Sequence, residues 1–195
     1  MAEFIRELKV STSASSSDDN DEESNDEEGE DVVGEDGSSE RVNGGVKEGD
    51  EEVTQVFWIM RHGDRLNNVD RQWKKTAQYP HDTPLSDLGH NQAHDVACHI
   101  VRNDPNIQHI LSSPFLRALE TANPLSKQLN MPIKVEKSVW ETGCAEAPPL
   151  HLHAASRQFV LDSEYTSTFE PTCGETTDDF FPRLKKAATG LLERL

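Results

Sequence analysis

Positive charge is almost missing from the first quarter of this 195-residue chain. Residues 1–52 hold 4 of its 19 Lys and Arg residues but 19 of its 36 Asp and Glu residues, and none of its 8 histidines. Unbalanced negative charge repels a polyanion, so nucleic acid is not an expected partner. Cysteine is scarce as well: Cys98, Cys144 and Cys173 are few and odd in number. They do not make a disulfide framework and read as reduced thiols of a cytoplasmic protein, with the nucleus as the alternative. Long apolar runs are lacking. No stretch approaches the roughly 18 residues of a membrane span, and the first residues have no apolar core of a secretory signal. Neither a membrane nor a secretory route is therefore expected.

What the first quarter does contain is charge of one sign. The stretch around residues 15–31 is nearly all Ser, Asp, Glu and Asn. It has too little apolar surface to offset the entropy of ordering, so residues 1–52 are expected to be a disordered acidic tail. Its ordinary role is to solubilise and self-repel. Ser15, Ser16 and Ser24 each precede an acid by three residues, a pattern that suits an acid-directed kinase. Residues 53–195 hold 17 acids and 15 bases, the composition of a near-neutral folded domain.

That domain alternates strand and helix patterns. Residues 53–60 (Val-Thr-Gln-Val-Phe-Trp-Ile-Met) form a nearly continuous apolar run, expected as a strand covered on both faces. A long loop, 61–84, follows. Ser86 is placed to cap a helix whose apolar residues Ala93, Val96, Ala97, Ile100 and Val101 follow helical spacing. A second strand is expected at 107–112, a helix at about 115–129 and a third strand at 132–136. An irregular stretch covers 143–174. Thr176 or Thr177 then caps a last helix, whose expected apolar face is Phe180, Phe181, Leu184, Ala187, Ala188, Leu191 and Leu192. Such alternation indicates an α/β fold with a mainly parallel sheet and helices on both faces. Ligands of these sheets gather at the carboxyl ends of the strands.

Three of those ends carry chemistry. Arg61-His62-Gly63 follows the first strand. An imidazole there is a nucleophile or base, an arginine beside it holds an anion, and glycine permits close backbone approach. Arg117 follows the second strand, in the first turn of a helix. The helix dipole disfavours a cation there, which suggests that an anion accompanies it. Glu141 follows the third strand, with Glu136 and Glu146 as competing carboxylates. Arg65 is a further cation near the imidazole. His90, His94 and Cys98 lie four residues apart on one helix, but no fourth ligand accompanies them. No metal site is expected.

Ile59-Met60-Arg61-His62-Gly63-Asp64-Arg65 resembles the opening motif of the histidine phosphatase superfamily, which includes the phosphoglycerate mutases. Pro84-Leu85-Ser86-Asp87-Leu88-Gly89 with Gln92-Ala93 is similar to the start of that family's first helix. Ser112-Ser113-Pro114-Phe115-Leu116-Arg117-Ala118 with Thr121-Ala122 is similar to its second, and Gly174-Glu175-Thr176 to the start of its later helix. The form Arg-His-Gly-Asp-Arg, followed by Asp70 and Trp73, is most similar to the branch of ubiquitin-associated and SH3-containing tyrosine phosphatases.

The resemblance implies a phosphoglycerate mutase-like fold and a phosphohistidine intermediate on His62. Arg61, Arg117 and Arg65 would hold the phosphoryl group or substrate, Glu141 would be the general acid, and no cofactor would be needed. The implied partner is a phosphorylated small molecule or a phosphoprotein. Phosphotyrosine, a phosphosteroid and a sugar phosphate all stay open. A mutase is disfavoured, because mutases usually carry a small hydroxyl residue near Arg65. The family also has a second histidine after a later strand, and no histidine follows His153 here. A C-terminally incomplete domain is therefore expected. With it comes the alternative of a catalytically impaired phosphate-binding or scaffold relative.

Overall fold

A computed structural model describes residues 5–12, 53–141, 148, 150 and 159–194. The chain divides into two compact units. One comprises residues 1–7 and 58–195, the other residues 8–57. The elements in chain order are β1 (Ile5–Thr12), β2 (Val53–Met60), α1 (Leu66–Val69), α2 (Trp73–Thr76), α3 (Asp87–Asn103), β3 (Ile110–Ser112), α4 (Leu116–Leu129), β4 (Ile133–Val135), a 3₁₀ turn (Lys137–Val139) and α5 (Thr177–Leu192).

The α/β class is as expected, and the helices fall within a residue or two of their anticipated ends. Ser86 caps α3 by accepting a hydrogen bond from the Gly89 N–H at 3.1 Å. The α3 residues Ala93, Val96, Ala97 and Ile100 then fall on one buried stripe. α4 has no cap of its own. Asp82, buried in the loop ahead of α3, accepts the Leu116 N–H at 2.7 Å. In α5 the hydroxyl and the backbone N–H of Thr176 both donate to Asp179. α3 lies along α4. Val96, Ala97 and Ile100 meet Leu119, Ala122 and Leu125 there, over Ile110, Ile133 and Phe159. Burying one such Ile or Leu side chain contributes about 1.5–3 kcal/mol.

β3 and β4 are parallel, with Ile110 opposite Ile133 and Ser112 opposite Val135. Leu161 makes a further parallel bridge to Ile133. β1 pairs with β2.

Four expectations need correction. Ile5–Thr12 is a strand, although it lies in the segment expected to be disordered. The acidic run starts only after it, and the β-branched residues of Ile-Arg-Glu-Leu-Lys-Val-Ser-Thr suit a strand. Residues 13–52 lie outside the described residues. β2 is not covered on both faces, since Val56 and Ile59 are exposed. An apolar run records the capacity for burial and not how many neighbours supply it. The loop 61–84 contains two one-turn helices, α1 and α2. Finally, the expected apolar face of α5 is largely open, with Phe181 and Leu192 exposed. What α5 buries is Ala187 and a charged residue, Arg183. Among the described residues no helix is long and apolar enough to cross a membrane.

Candidate active site

The chain leaves β2 through Arg61, His62 and Gly63 and turns against the start of α3. Gly63 and Gly89 meet there backbone to backbone. A Cβ on Gly63 would lie 2.6 Å from the Gly89 carbonyl oxygen, and a Cβ on Gly89 would lie 2.1 Å from that of Asp64. Neither position admits a side chain. Asp64 completes the joint. Its N–H donates to Gln92 Oε1 at 2.8 Å and its carbonyl accepts the Ser86 N–H at 2.9 Å. Ser86 Oγ and Asn68 Nδ2 each donate to the Asp64 carboxylate at 2.7 Å. Those two bonds hold Asp64 below the usual carboxylate range.

A second tie runs to α4. The Gly63 N–H donates to Thr121 Oγ1 at 3.1 Å, and the Thr121 hydroxyl donates to the carbonyl of Arg117 at 2.7 Å. One buried threonine thus connects the backbone beside His62 to the backbone of Arg117.

His62 is half-buried. Its Nδ1 lies 2.8 Å from the Gly63 carbonyl oxygen. A carbonyl only accepts, so Nδ1 carries the hydrogen and Nε2 keeps its lone pair in the neutral ring. Burial is the main cause that holds the imidazole below its ordinary pKa of 6.5. The bond to Gly63 opposes this, and the charges of Arg117, Arg65 and Arg61 add to the lowering. All three arginines marked in the sequence therefore act on the one ring. Arg61 is exposed and Arg65 half-buried.

Arg117 is buried, with 4% of its surface exposed, and its guanidinium lies 4.3 Å from the centre of the Phe115 ring. It donates to Glu141 through Nη2 and makes a long 3.5 Å contact to the His81 carbonyl through Nη1. The anion expected beside a cation at a helix start is here the Glu141 carboxylate, itself largely exposed.

The competing carboxylate Glu136 is a structural residue. It is fully buried and accepts hydrogen bonds from the Ser138 N–H, the Tyr165 hydroxyl, and the N–H and hydroxyl of Thr168. Burial pushes its pKa up, but these donors outweigh burial and leave it below its ordinary value. Glu146, His151 and His153 lie outside the described residues. His94 Nε2 sits 3.6 Å from Cys98 Sγ. Among the described residues no three His, Cys, Asp or Glu side chains are grouped to hold a metal ion.

Sequence reasoning gave no role to Thr121, Asp82, Glu120, Glu136 or Arg183. Glu120 is buried and accepts the Leu85 N–H at 2.6 Å, which holds the chain just ahead of α3. Arg183 donates to the carbonyls of Ser138 and Trp140 and to the carboxylate of Glu175. Glu175 and Thr121 lay inside motifs already noted. Apart from Ser138 beside Glu136 and Glu175 beside Arg183, the partners of the others are 29 to 45 residues away in sequence, and spacing carries no signal over that range.

Taken together, the site offers an unprotonated imidazole nitrogen, three guanidinium groups acting on it, and a carboxylate that reaches one of them. That set can accept a tetrahedral dianion and exchange a proton with it.

A family model for the histidine phosphatase superfamily (branch 1) matches residues 57–195. The transcription factor tau 55 kDa subunit of Saccharomyces cerevisiae is 29% identical over 158 residues. The match takes in 73% of this chain and 35% of that protein. The ecdysone phosphate phosphatase of Bombix mori, solved with tungstate, is 26% identical with a TM-score of 0.57. That likeness covers 69% of this chain and 65% of that one. The chain therefore spans about a third of the yeast relative and just under two thirds of the silkworm enzyme. The mixed α/β fold with its parallel strands is phosphoglycerate mutase-like.

Proposed function

Since this chain belongs to the histidine phosphatase superfamily, we propose that it hydrolyses phosphomonoesters through a phosphohistidine on His62. The observation that carries this reading is the Nδ1–Gly63 hydrogen bond together with the three arginines acting on the same ring. The bond leaves the Nε2 lone pair free, and the three charges favour the neutral ring.

Nε2 attacks phosphorus, the P–O bond to the alcohol breaks, and the departing oxygen takes a proton from Glu141, which gains it from the monoanionic ester on leaving Arg117. Water then attacks the phosphohistidine. Glu141 takes its proton, the P–N bond breaks, and inorganic phosphate leaves. Arg117, with Arg61 and Arg65, neutralises the equatorial oxygens. A phosphoryl group arriving at Arg117 takes over the guanidinium that Glu141 holds in the free protein. That exchange turns the carboxyl group toward the leaving oxygen. The chemistry asks no metal of these residues.

The substrate is an ester or a phosphoprotein whose bulk lies outside the arginine cradle. The Arg-His-Gly-Asp-Arg motif favours the branch of ubiquitin-associated and SH3-containing tyrosine phosphatases. The likeness to an ecdysone phosphate phosphatase supports a phosphate on a bulky alcohol or phenol. We place the protein in the cytoplasm, on its few unpaired-type cysteines, with the nucleus as the alternative. The test is turnover of p-nitrophenyl phosphate in the presence of a chelator. His62→Ala should lose at least about 10³-fold in kcat, as removal of a nucleophile does. Equal turnover by that variant would overturn the assignment.

A second reading is a phosphate-binding or scaffold relative without turnover. The observation favouring it is that Arg117, the buried cation of the cradle, is already paired with the Glu141 carboxylate. Tight binding of orthovanadate without hydrolysis of any aryl phosphate would select this reading.

A further inference from the structure

We propose that Arg183 is a positioning residue for Glu141, acting through the backbone that presents it; this rests on the reading of Glu141 as the general acid. Arg183 is the buried charged residue of α5, with 8% of its surface exposed. Its guanidinium is used on both edges. Nε donates to the two Glu175 oxygens at 2.6 and 2.9 Å. Nη1 donates to the carbonyl of Ser138, and Nη2 to that of Trp140 at 2.9 Å. Trp140 is the residue before Glu141. The guanidinium therefore grips the main chain directly behind the carboxylate, at two carbonyls on the same stretch.

The geometry needs both its parts. A planar fork spreads its donors over three nitrogens and so reaches two carbonyls and a carboxylate at once, whereas lysine gathers its three donors on one nitrogen. Glu175 fixes the rotation of the fork and neutralises it in a buried place, where an unpaired cation would be costly. From the other side Glu136 holds the Ser138 N–H at 3.0 Å, while the Lys137 N–H donates to Ser167 Oγ at 2.9 Å. Residues 136–140 are thus pinned from two directions. Glu141, exposed at the end of this platform, accepts a hydrogen bond from Arg117. Where the carboxyl group sits relative to the leaving oxygen is then set by Arg183, a residue on a different helix that touches no reacting atom.

The clamp separates from a merely structural role by its dependence on the leaving group. An alkyl phosphate needs a proton delivered to its oxygen, whereas 2,4-dinitrophenyl phosphate does not. On the full chain, Arg183→Lys and Glu175→Gln should each lower kcat/KM for an alkyl phosphate by about 10²-fold, the lower end of a general-acid contribution. For the dinitrophenyl ester the loss should stay under about threefold. Glu141→Gln should show the same signature. Adding Arg183→Lys to Glu141→Gln should cost nothing further on the alkyl ester, because both act through one carboxyl group. Equal losses on the two esters, or no loss, would overturn the clamp while leaving the phosphatase intact. Loss of the leaving-group signature in Glu141→Gln, or no turnover by the unaltered chain, would instead remove the general-acid reading and the clamp with it. If neither Arg183→Lys nor Glu175→Gln folds, the pair serves stability alone and the proposal fails.

Discussion

Beside His62 the protein brings two glycine backbones into contact, whereas behind Glu141 it buries a carboxylate and a guanidinium. On the first side the ties are short and made of small groups: Gly63 against Gly89, and Thr121 between Gly63 and Arg117. On the second side they are long side chains from distant segments: Glu136 to Tyr165 and Thr168, and Arg183 to Ser138 and Trp140. A backbone joint tolerates no added atom but is insensitive to pH. A joint of buried charges tolerates changes of shape better but depends on each member keeping its charge and its partners. The difference should be visible in how each side fails.

The largest effect belongs to the backbone joint. Gly89→Ala places a carbon 2.1 Å from a backbone oxygen, and backbone cannot swing aside as a side chain can. It should destabilise the fold by about 3 kcal/mol, the upper part of the overpacking range, measured by urea denaturation. Its cost should not vary with pH between 4 and 8. A strongly pH-dependent cost would break the comparison.

Next is Glu136→Gln. The amide presents N–H groups to a cage of donors, and the unpaired groups should cost about 1–3 kcal/mol. Glu136 has a folded pKa below its ordinary value of 4.5. A carboxylate of that kind stabilises the fold fully above the unfolded pKa and loses the contribution as pH falls through the folded one. The gap between the native chain and the variant should therefore be widest above pH 4.5 and narrow below it. A constant gap would show that Glu136 is not held by its charge.

Thr121→Val follows. It keeps the shape and removes the hydroxyl that joins Gly63 to Arg117, at a cost of about 1 kcal/mol. Because the tie also fixes His62 against Arg117, kcat/KM should fall by about tenfold, a modest share of what misplacement of reacting groups can cost. A loss of stability without a loss of rate would sever the tie from the site.

The smallest effect is a displaced titration. Burial first, and then Arg117 with Arg65 and Arg61, hold His62 below pH 6.5. Arg117→Met should move the His62 midpoint upward, toward 6.5, as read from the imidazole proton shifts of the free protein. The sign for stability follows. With a depressed folded pKa the unfolded chain binds more protons, so His62 contributes above pH 6.5 and that contribution falls away as pH drops through the folded pKa. A downward shift in the variant would contradict the placement of Arg117 near the ring.

The first side of the comparison was the legible one. Gly63, Gly89 and Thr121 stood inside local motifs, because a backbone contact at a turn demands a small residue at a fixed place in the chain. Arg61, His62, Arg65 and Arg117 were legible for the same reason, at strand ends and a helix start. Glu141 was marked by its place after β4 and lies against Arg117, whereas its rival Glu136 is enclosed by Tyr165 and Thr168, which the sequence did not show. Arg183 was hidden inside an expected apolar face. On α5 the periodicity marked Phe180, Phe181 and Leu184, yet Arg183, between Pro182 and Leu184, is more deeply buried than any of the three. Helical spacing identifies a stripe but not whether a charge within it has found a partner. β1 was missed for a simpler cause: the composition of residues 1–52 averaged a short strand into a long acidic run.

The most direct test of the central claim is to look for a phosphorylated form of the chain during incubation with an ester. The intact chain is mixed with a ³²P-labelled phosphomonoester, quenched in alkali and separated from free phosphate. Label should stay on the protein through alkali, leave on brief acid treatment as a phosphoramidate does, and be absent from His62→Ala. Turnover of the ester with no trapped label, or label that persists in His62→Ala, would contradict a phosphoryl group carried on His62.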